Sequence, residues 1–157
     1  MSIIGAILRP IVERSAKGQT YTQLAQKLTT SGDEVAQRFA RAADTPKNRQ
    51  TMNHIIGIER WGQRRLRSAL GEPTVSDEYD GYRLPADSSK AQLVEAFTMT
   101  RRETLALARQ LEQAGAPLSR TVPHNSVGDL SIGGWLAYLA GHAGREAGRM
   151  KLVGQLT

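Results

Sequence analysis

Apolar residues recur at helical spacing in four long segments of this chain, and that periodicity limits its fold more than any other feature. One such stripe contains Leu93, Phe97, Thr104, Leu107 and Leu111, which share one face of a helix. No segment alternates apolar and polar residues in the way that predicts a half-buried strand. The sequence therefore predicts an all-α fold in which four helices of about 20 residues form a four-helix bundle.

The apolar pattern and the residues that break it give the expected bounds of the first long helix. It is expected to run from near Thr20 to Asp44, and a capping-box pair at Ser31 and Glu34 predicts that it stops and restarts there. Residues 3–12 contain a proline, so they are expected to form only a short helical or irregular lead-in that packs on the bundle.

Three further helices follow in the same pattern. The second is expected over about 47–70, and the third over 89–115, where a capping box opens it and a glycine closes it. The fourth is expected over about 129–152, with Asp129 or Ser131 as its N-cap.

The second and third helices are separated by an unusually long connection, residues 71–88. Connections of this length are commonly functional or cross over the fold, so we expect a crossover loop here. A chain of 157 residues is expected to form a single domain over 1–157, with its core at about 20–152.

The absence of cysteine excludes several kinds of chemistry at once. Disulfides, thiolate metal sites and cysteine nucleophiles are all ruled out by the composition. The apolar runs are short and neither end has a signal-peptide pattern, so the sequence favours a cytoplasmic protein without a membrane span.

The net charge of +6 suggests nucleic-acid binding, but its distribution argues against that function. The basic residues are spread along the chain, and only 5% of residues are aromatic, too few to alternate with them as stacking partners. We expect the charge to lie on solvated helix faces, and nucleic-acid binding is the least favoured of the functions considered.

One group of residues has the composition of a metal site. Glu146 falls within the apolar arc of the fourth helix, where a carboxylate is costly unless it is paired or bound to a metal. His142 precedes it by four residues on the same face. With His54 from a facing helix, the set suits Zn, Ni or Fe and leaves positions open for water or substrate.

A second interpretation of the same residues does not involve a metal. Glu146 can pair with an arginine such as Arg60, Arg64 or Arg149, and the histidines can be ordinary core residues. The remaining histidine, His124, lies in a loop, where an incidental polar role is favoured over acid–base catalysis.

Two segments resemble the DinB-like (DinB/YfiT) superfamily. Residues 52–72 (MNHIIGIERWGQRRLRSALGE) resemble its second helix, and residues 124–150 (HNSVGDLSIGGWLAYLAGHAGREAGRM) resemble its last. The resemblance implies a four-helix bundle of unusual connectivity, often dimeric, with a divalent metal held by three histidines. It also implies metal-dependent hydrolase or thiol-dependent S-transferase activity, with a small-molecule or thiol substrate.

The sequence departs from this family pattern at one ligand. Glu146 stands where the second histidine of the family's His-x-x-x-His pair is expected. Either Glu146 ligates in its place, or the chain is a metal-free, non-catalytic bundle that binds a small ligand or a protein partner. No catalytic residue other than the ligands is identified.

Overall fold

A computed structural model describes residues 2–155, and it confirms the all-α prediction. Within these residues there are five α-helices: α1 (Ile3–Ala16), α2 (Tyr21–Arg41), α3 (Pro46–Leu66), α4 (Lys90–Gln113) and α5 (Ile132–Gly148). Short 3-10 turns at Arg67–Leu70 and Tyr79–Tyr82 begin and interrupt the long connection between α3 and α4.

The helices begin where the sequence provides caps. Ser89 opens α4 with the predicted capping box, since its side chain accepts from the backbone of Gln92 and the Gln92 side chain accepts in return. Thr20 and Gln23 form the same reciprocal pair at the start of α2. These local contacts satisfy backbone N–H groups that the first turn of a helix leaves free.

Helices α2 and α3 each pack against both α4 and α5. Because α2 and α3 are consecutive yet share the same two neighbours, they occupy opposite corners of the bundle. The crossover over residues 71–88 leads from α3 to α4, which packs beside it. The hydrophobic core of the bundle contains two large clusters of buried side chains, one around Trp61 and Trp135 and one around Phe39 and Phe97.

The predicted break in the first long helix is wrong. Helix α2 continues through Ser31 and Glu34, because Leu28, Gly32 and Val35 extend its buried face without interruption. The Ser31 hydroxyl donates to the Ala140 carbonyl of α5 at 2.8 Å rather than capping a new helix. Ser31, which the local pattern predicted to be a helix cap, therefore makes a contact between helices α2 and α5 instead.

The fourth predicted helix is shorter than expected, since α5 covers only Ile132–Gly148. The expectation that the chain contains no β-strand is also wrong. Ser131 is the N-cap of α5, and Asp129 lies in a strand before it. Strands β1 (Thr121–His124) and β2 (Gly128–Ser131) form an antiparallel hairpin, with Val122 opposite Leu130. With four residues each, these strands are too short for a period-two pattern to be recognised.

The lead-in to the bundle is a regular helix rather than an irregular segment. Helix α1 runs to Ala16, despite Pro10 within it, and its first turn lies against the turn of the hairpin. A side chain at Gly5 would collide with the backbone carbonyl oxygen of Ser126, so this close approach requires glycine. Among the described residues, no helix is both long and apolar enough to span a membrane.

Candidate functional site

The bundle brings two of the predicted ligands together. His54 of α3 and His142 of α5 lie with their ring centres 5.2 Å apart and their planes tilted by 60°. Tyr79, from the crossover loop, packs edge-on against His54 at 5.2 Å. Tyr138 lies one turn before His142, with ring centres 5.6 Å apart. Two helices and the crossover loop therefore meet at this histidine pair.

The pair opens into a cavity of about 220 Å³ that we call the histidine cavity. All three histidines line it, together with aromatic and aliphatic walls and the first turns of α1. The lining residues are Ser2, Ile4, Gly5, Leu8, His54, Ile58, Trp61, Glu78, Tyr79, His124, Asn125, Ser126, Val127, Tyr138 and His142. A largely apolar cavity with a few polar groups is the usual form of a small-molecule site.

Both imidazoles of the pair are held in their neutral form. Burial, together with smaller contributions from the nearby His54 and Arg145, lowers the pKa of His142 to about 3. Burial also lowers the pKa of His54, although the negative charge of Glu146 opposes that shift. A neutral imidazole has a free nitrogen lone pair, which is the form that binds a metal ion.

Glu146 is near the pair but is engaged with an arginine. Its carboxylate accepts from Arg149, the residue three positions later, at 3.0 Å. The Glu146 side chain is 20% exposed, whereas that of Arg149 is 74% exposed. Within residues 2–155, no three His, Cys, Asp or Glu side chains are grouped closely enough to hold a metal ion.

His124 is positioned by the hairpin rather than left in an irregular loop. Its Nδ1 accepts from the backbone N–H groups of Ser126 and Val127, which places its proton on Nε2. Burial lowers the pKa of His124 to about 4, and the positive charge of Arg65 adds to this effect. The ring packs between Trp61 and Trp135, at 4.9 Å from each.

The histidine cavity retains hydrogen-bonding groups that the protein does not use. Among residues 2–155, the side chains of His54, Tyr138 and His142 make no hydrogen bond, and the buried Nε2 of His124 has no partner. Burial raises the pKa of Tyr138 to about 12, so its hydroxyl stays protonated and can donate. Buried polar groups are normally satisfied, and groups left open around a cavity indicate a place for a ligand.

The wall of the cavity depends on residues that sequence reasoning did not select. The buried guanidinium of Arg65 donates to the Asp77 carbonyl and to the Asn125 side chain, and it lies over the Trp61 ring. It thereby ties the crossover loop to the turn of the hairpin. Tyr138 was also missed, although its position four residues before His142 on one helical face was a usable signal.

The fold and this cavity define an all-α bundle protein with a pair of histidines between its third and fifth helices, α3 and α5. The sequence model of the DinB superfamily matches residues 15–149, and the chain belongs to that superfamily. The match begins within the last residues of α1, so most of that helix precedes the matched region. Searches of curated proteins and of solved structures found no match.

Proposed function

We propose that this protein binds a divalent metal ion, Zn, Ni or Fe, through His54 and His142, with Glu146 as the third ligand. The observation that carries the proposal is the separation of the two neutral imidazoles, 5.2 Å between ring centres. Two imidazoles that share one tetrahedral ion through bonds of about 2.1 Å have ring centres roughly 5 Å apart. The donor types and the spacing of the pair both fit such an ion.

The third ligand requires one exchange of partners. Glu146 lies four residues after His142 on α5, and its charge already acts on His54. Its present partner, Arg149, is largely exposed, so separating this pair costs little. Two histidines and a carboxylate form a set that leaves further coordination positions open.

The chain's own residues then suit a metal-dependent hydrolase or a thiol-dependent transferase. A bound divalent ion supplies Lewis acidity. Trp61 and Tyr79 provide aromatic walls, and the Tyr138 hydroxyl can donate a hydrogen bond to a substrate atom. Because the chain contains no cysteine, any thiol in the reaction comes from the substrate.

The alternative is a metal-free bundle that binds a small ligand in the same cavity. The ion pair between Glu146 and Arg149 favours this function, because it neutralises the carboxylate without a metal. In that case, the unused hydrogen-bonding groups of His54, Tyr138 and His142 contact the ligand directly.

Elemental analysis of protein purified without a metal-affinity tag tests the proposal. We expect about one metal ion per chain in the parent and a strong loss after His54→Ala or His142→Ala. His124→Asn is the matched control, since it removes the third histidine yet keeps an oxygen near the Nδ1 position. Equal metal contents in the parent and in both alanine variants would refute the metal site.

The role of Glu146 is tested by changing its partner. Arg149→Ala frees the carboxylate and is expected to tighten metal binding, whereas Glu146→Gln is expected to weaken it. Glu103→Gln, on the exposed face of α4, controls for the loss of one negative charge. If Arg149→Ala and Glu146→Gln leave metal affinity unchanged, Glu146 is not a ligand.

We also propose that the protein is a cytoplasmic homodimer. Its resemblance to the DinB-like superfamily, whose members are often dimeric, supports the dimer. The apolar face of α1 supports a contact between copies, because Ile3, Ile4, Ile7 and Ile11 are all more than half exposed. Sedimentation of the parent and of Ile7→Glu tests the dimer. A parent that sediments as a monomer at all concentrations would contradict it.

A further inference from the structure

The first turns of helix α1 form one wall of the histidine cavity. Ser2, Ile4, Gly5 and Leu8 all line it. Every other lining residue belongs to α3, the crossover loop, the hairpin or α5. A ligand that enters the cavity therefore meets one wall that lies outside the bundle of α2 to α5.

Little holds this part of α1 against the rest of the protein. Among residues 2–9, only Gly5 is buried and only Leu8 is half-buried, so few apolar groups are removed from water there. The backbone N–H and the hydroxyl of Ser2 both donate to the Ser126 carbonyl, at 3.3 and 3.4 Å, and both bonds are long. The segment therefore rests on the hairpin turn through one glycine, one leucine and one carbonyl group.

The second half of the same helix is firmly attached. Val12 is 4% exposed and belongs to the hydrophobic core. The Glu13 carboxylate accepts from the backbone N–H and the hydroxyl of Ser131, at 2.7 and 2.6 Å. Lys27 of α2 donates to the Ser15 carbonyl at 3.0 Å. This half is thus tied to α2 and to the start of α5.

Pro10 separates the two halves of α1. It has no backbone N–H, so it cannot donate to the Ala6 carbonyl four residues earlier, and the helix lacks one hydrogen bond at this point. The Pro10 ring is exposed, so no packing around it fixes the angle between the halves. Helices bend at such residues. Pro10 is therefore the place where the first half of α1 can move against the second.

We propose that residues 2–9 of α1 form a lid that swings about Pro10 and controls the access of ligands to the histidine cavity. Opening separates Gly5 from the backbone of Ser126 and Leu8 from the core, while the second half of the helix stays in place. Segments with few buried contacts open at a low cost in free energy. The inference rests on the proposed small-molecule site, whose access it describes, but it needs no metal.

The histidines themselves report whether the lid opens. The chain has three of them, and all three line this cavity. Diethyl pyrocarbonate modifies neutral imidazoles, and mass spectrometry of peptides gives a rate for each ring. His124 and His142 are only 7% and 9% exposed, so we expect their reaction to require opening of the lid. The protein is treated with a chelator first, so that no bound metal protects the rings.

Two variants of α1 are expected to change these rates in opposite directions. Gly5→Ala places a Cβ atom against the Ser126 carbonyl oxygen and displaces the lid, so His124 and His142 should react about tenfold faster. Pro10→Ala restores the missing helical hydrogen bond and stiffens the lid in its closed position, so both rings should react about tenfold more slowly. Both variants keep the exposed isoleucines of α1, so a contact between copies is preserved.

The matched controls place the same substitutions away from the lid. Gly148→Ala changes an exposed glycine of α5 at which an added Cβ would meet nothing within 4 Å. Pro117→Ala changes an exposed proline in the segment before the hairpin. Both controls should react at the rates of the parent.

Low concentrations of urea separate opening of the lid from unfolding of the whole chain. A lid exposes little surface, so the reaction rates should depend only weakly on urea. Rates that rise as steeply as the unfolded fraction would overturn the inference, because the rings would then react only after global unfolding. It is also overturned if Gly5→Ala and Pro10→Ala both react at the parent's rates, or if Pro10→Ala reacts faster. These outcomes do not depend on metal content, which elemental analysis decides separately.

Discussion

Helix α3 carries two buried polar clusters that differ in how completely their hydrogen bonds are made. At Glu59, Arg101 donates to both carboxylate oxygens, at 2.6 and 3.0 Å, and Thr104 donates a third bond at 2.8 Å. One turn further along, Gln63 donates to Thr100 and Thr104. We call these residues the Glu59 network.

The histidine cavity, five residues earlier along the same helix, shows the opposite arrangement. His54 and His142 have no hydrogen-bond partner among residues 2–155, and both are held neutral by burial. A saturated buried cluster holds helices together, because removing any member leaves an unpaired group behind. An unsaturated cluster beside a cavity contributes little to stability and is available to a ligand.

The largest expected effect comes from breaking the Glu59 network. Arg101→Met leaves the Glu59 carboxylate buried without its main partner, and we expect it to lower the free energy of unfolding by about 3–5 kcal/mol. Urea denaturation measures this loss. The metal content of the folded fraction should not change, and a loss of metal would show that the two clusters are coupled.

The next effect is a pH dependence that originates at His124. Its pKa is about 4 in the folded chain and near 6.5 when exposed, so only the unfolded state gains the proton between these values. Stability from this group is complete above pH 6.5 and falls as the pH is lowered toward 4. The parent should lose about 1.4 kcal/mol per pH unit more than His124→Asn in this window.

Urea denaturation at several pH values, on the parent and on His124→Asn, makes that comparison. The main physical reason is that burial of the ring disfavours its charged form, and the positive charge of Arg65 adds to this. A protonated Nδ1 could also no longer accept from the two backbone N–H groups that it now binds. Identical slopes for the two proteins would show that His124 does not titrate in this way.

A smaller loss is expected when the edge of the Glu59 network is changed. Gln63→Leu removes two hydrogen bonds but leaves Thr104 bonded to Glu59. We expect a loss of about 1–2 kcal/mol in the free energy of unfolding. Thermal and urea unfolding should agree on this value, and a change as large as that of Arg101→Met would place Gln63 among the central members of the network.

The smallest effect is expected at the histidine pair itself. His142→Leu replaces a buried imidazole without partners by an apolar side chain of similar size, so stability should change by less than about 1 kcal/mol. Metal content, by contrast, should be lost. If His142→Leu destabilises the chain as strongly as Arg101→Met, the histidine pair is part of the structural core and the comparison fails.

Much of the fold could be predicted because its signals are local. The start of α2 near Thr20, the capping box at Ser89 and the apolar stripe of α4 were readable from neighbouring residues alone. The errors came where distant packing decided the structure. Ser31 bonds a carbonyl of α5 instead of capping a helix, and the hairpin before α5 depends on pairing between strands of four residues each.

The candidate site follows the same division. Helical spacing placed His142 and Glu146 on one face of α5, and only the assembled bundle brought His54 within 5.2 Å of His142. The pair of Glu146 with Arg149, three residues apart, was among the pairings expected from the sequence, but only the bundle placed His124 in the same cavity as His54 and His142. Spacing along a helix cannot specify such contacts, because they depend on how far each helix is shifted and rotated against its neighbours.

By itself, the sequence determined most of the helices, the absence of cysteine thiols in the protein and the small number of candidate metal ligands. Tertiary structure decided which side chains face one another across the bundle and which of them keep unused hydrogen-bonding capacity. The physical reason is that propensity and capping act within one turn, whereas desolvation and partner choice are set by groups brought in from distant parts of the chain.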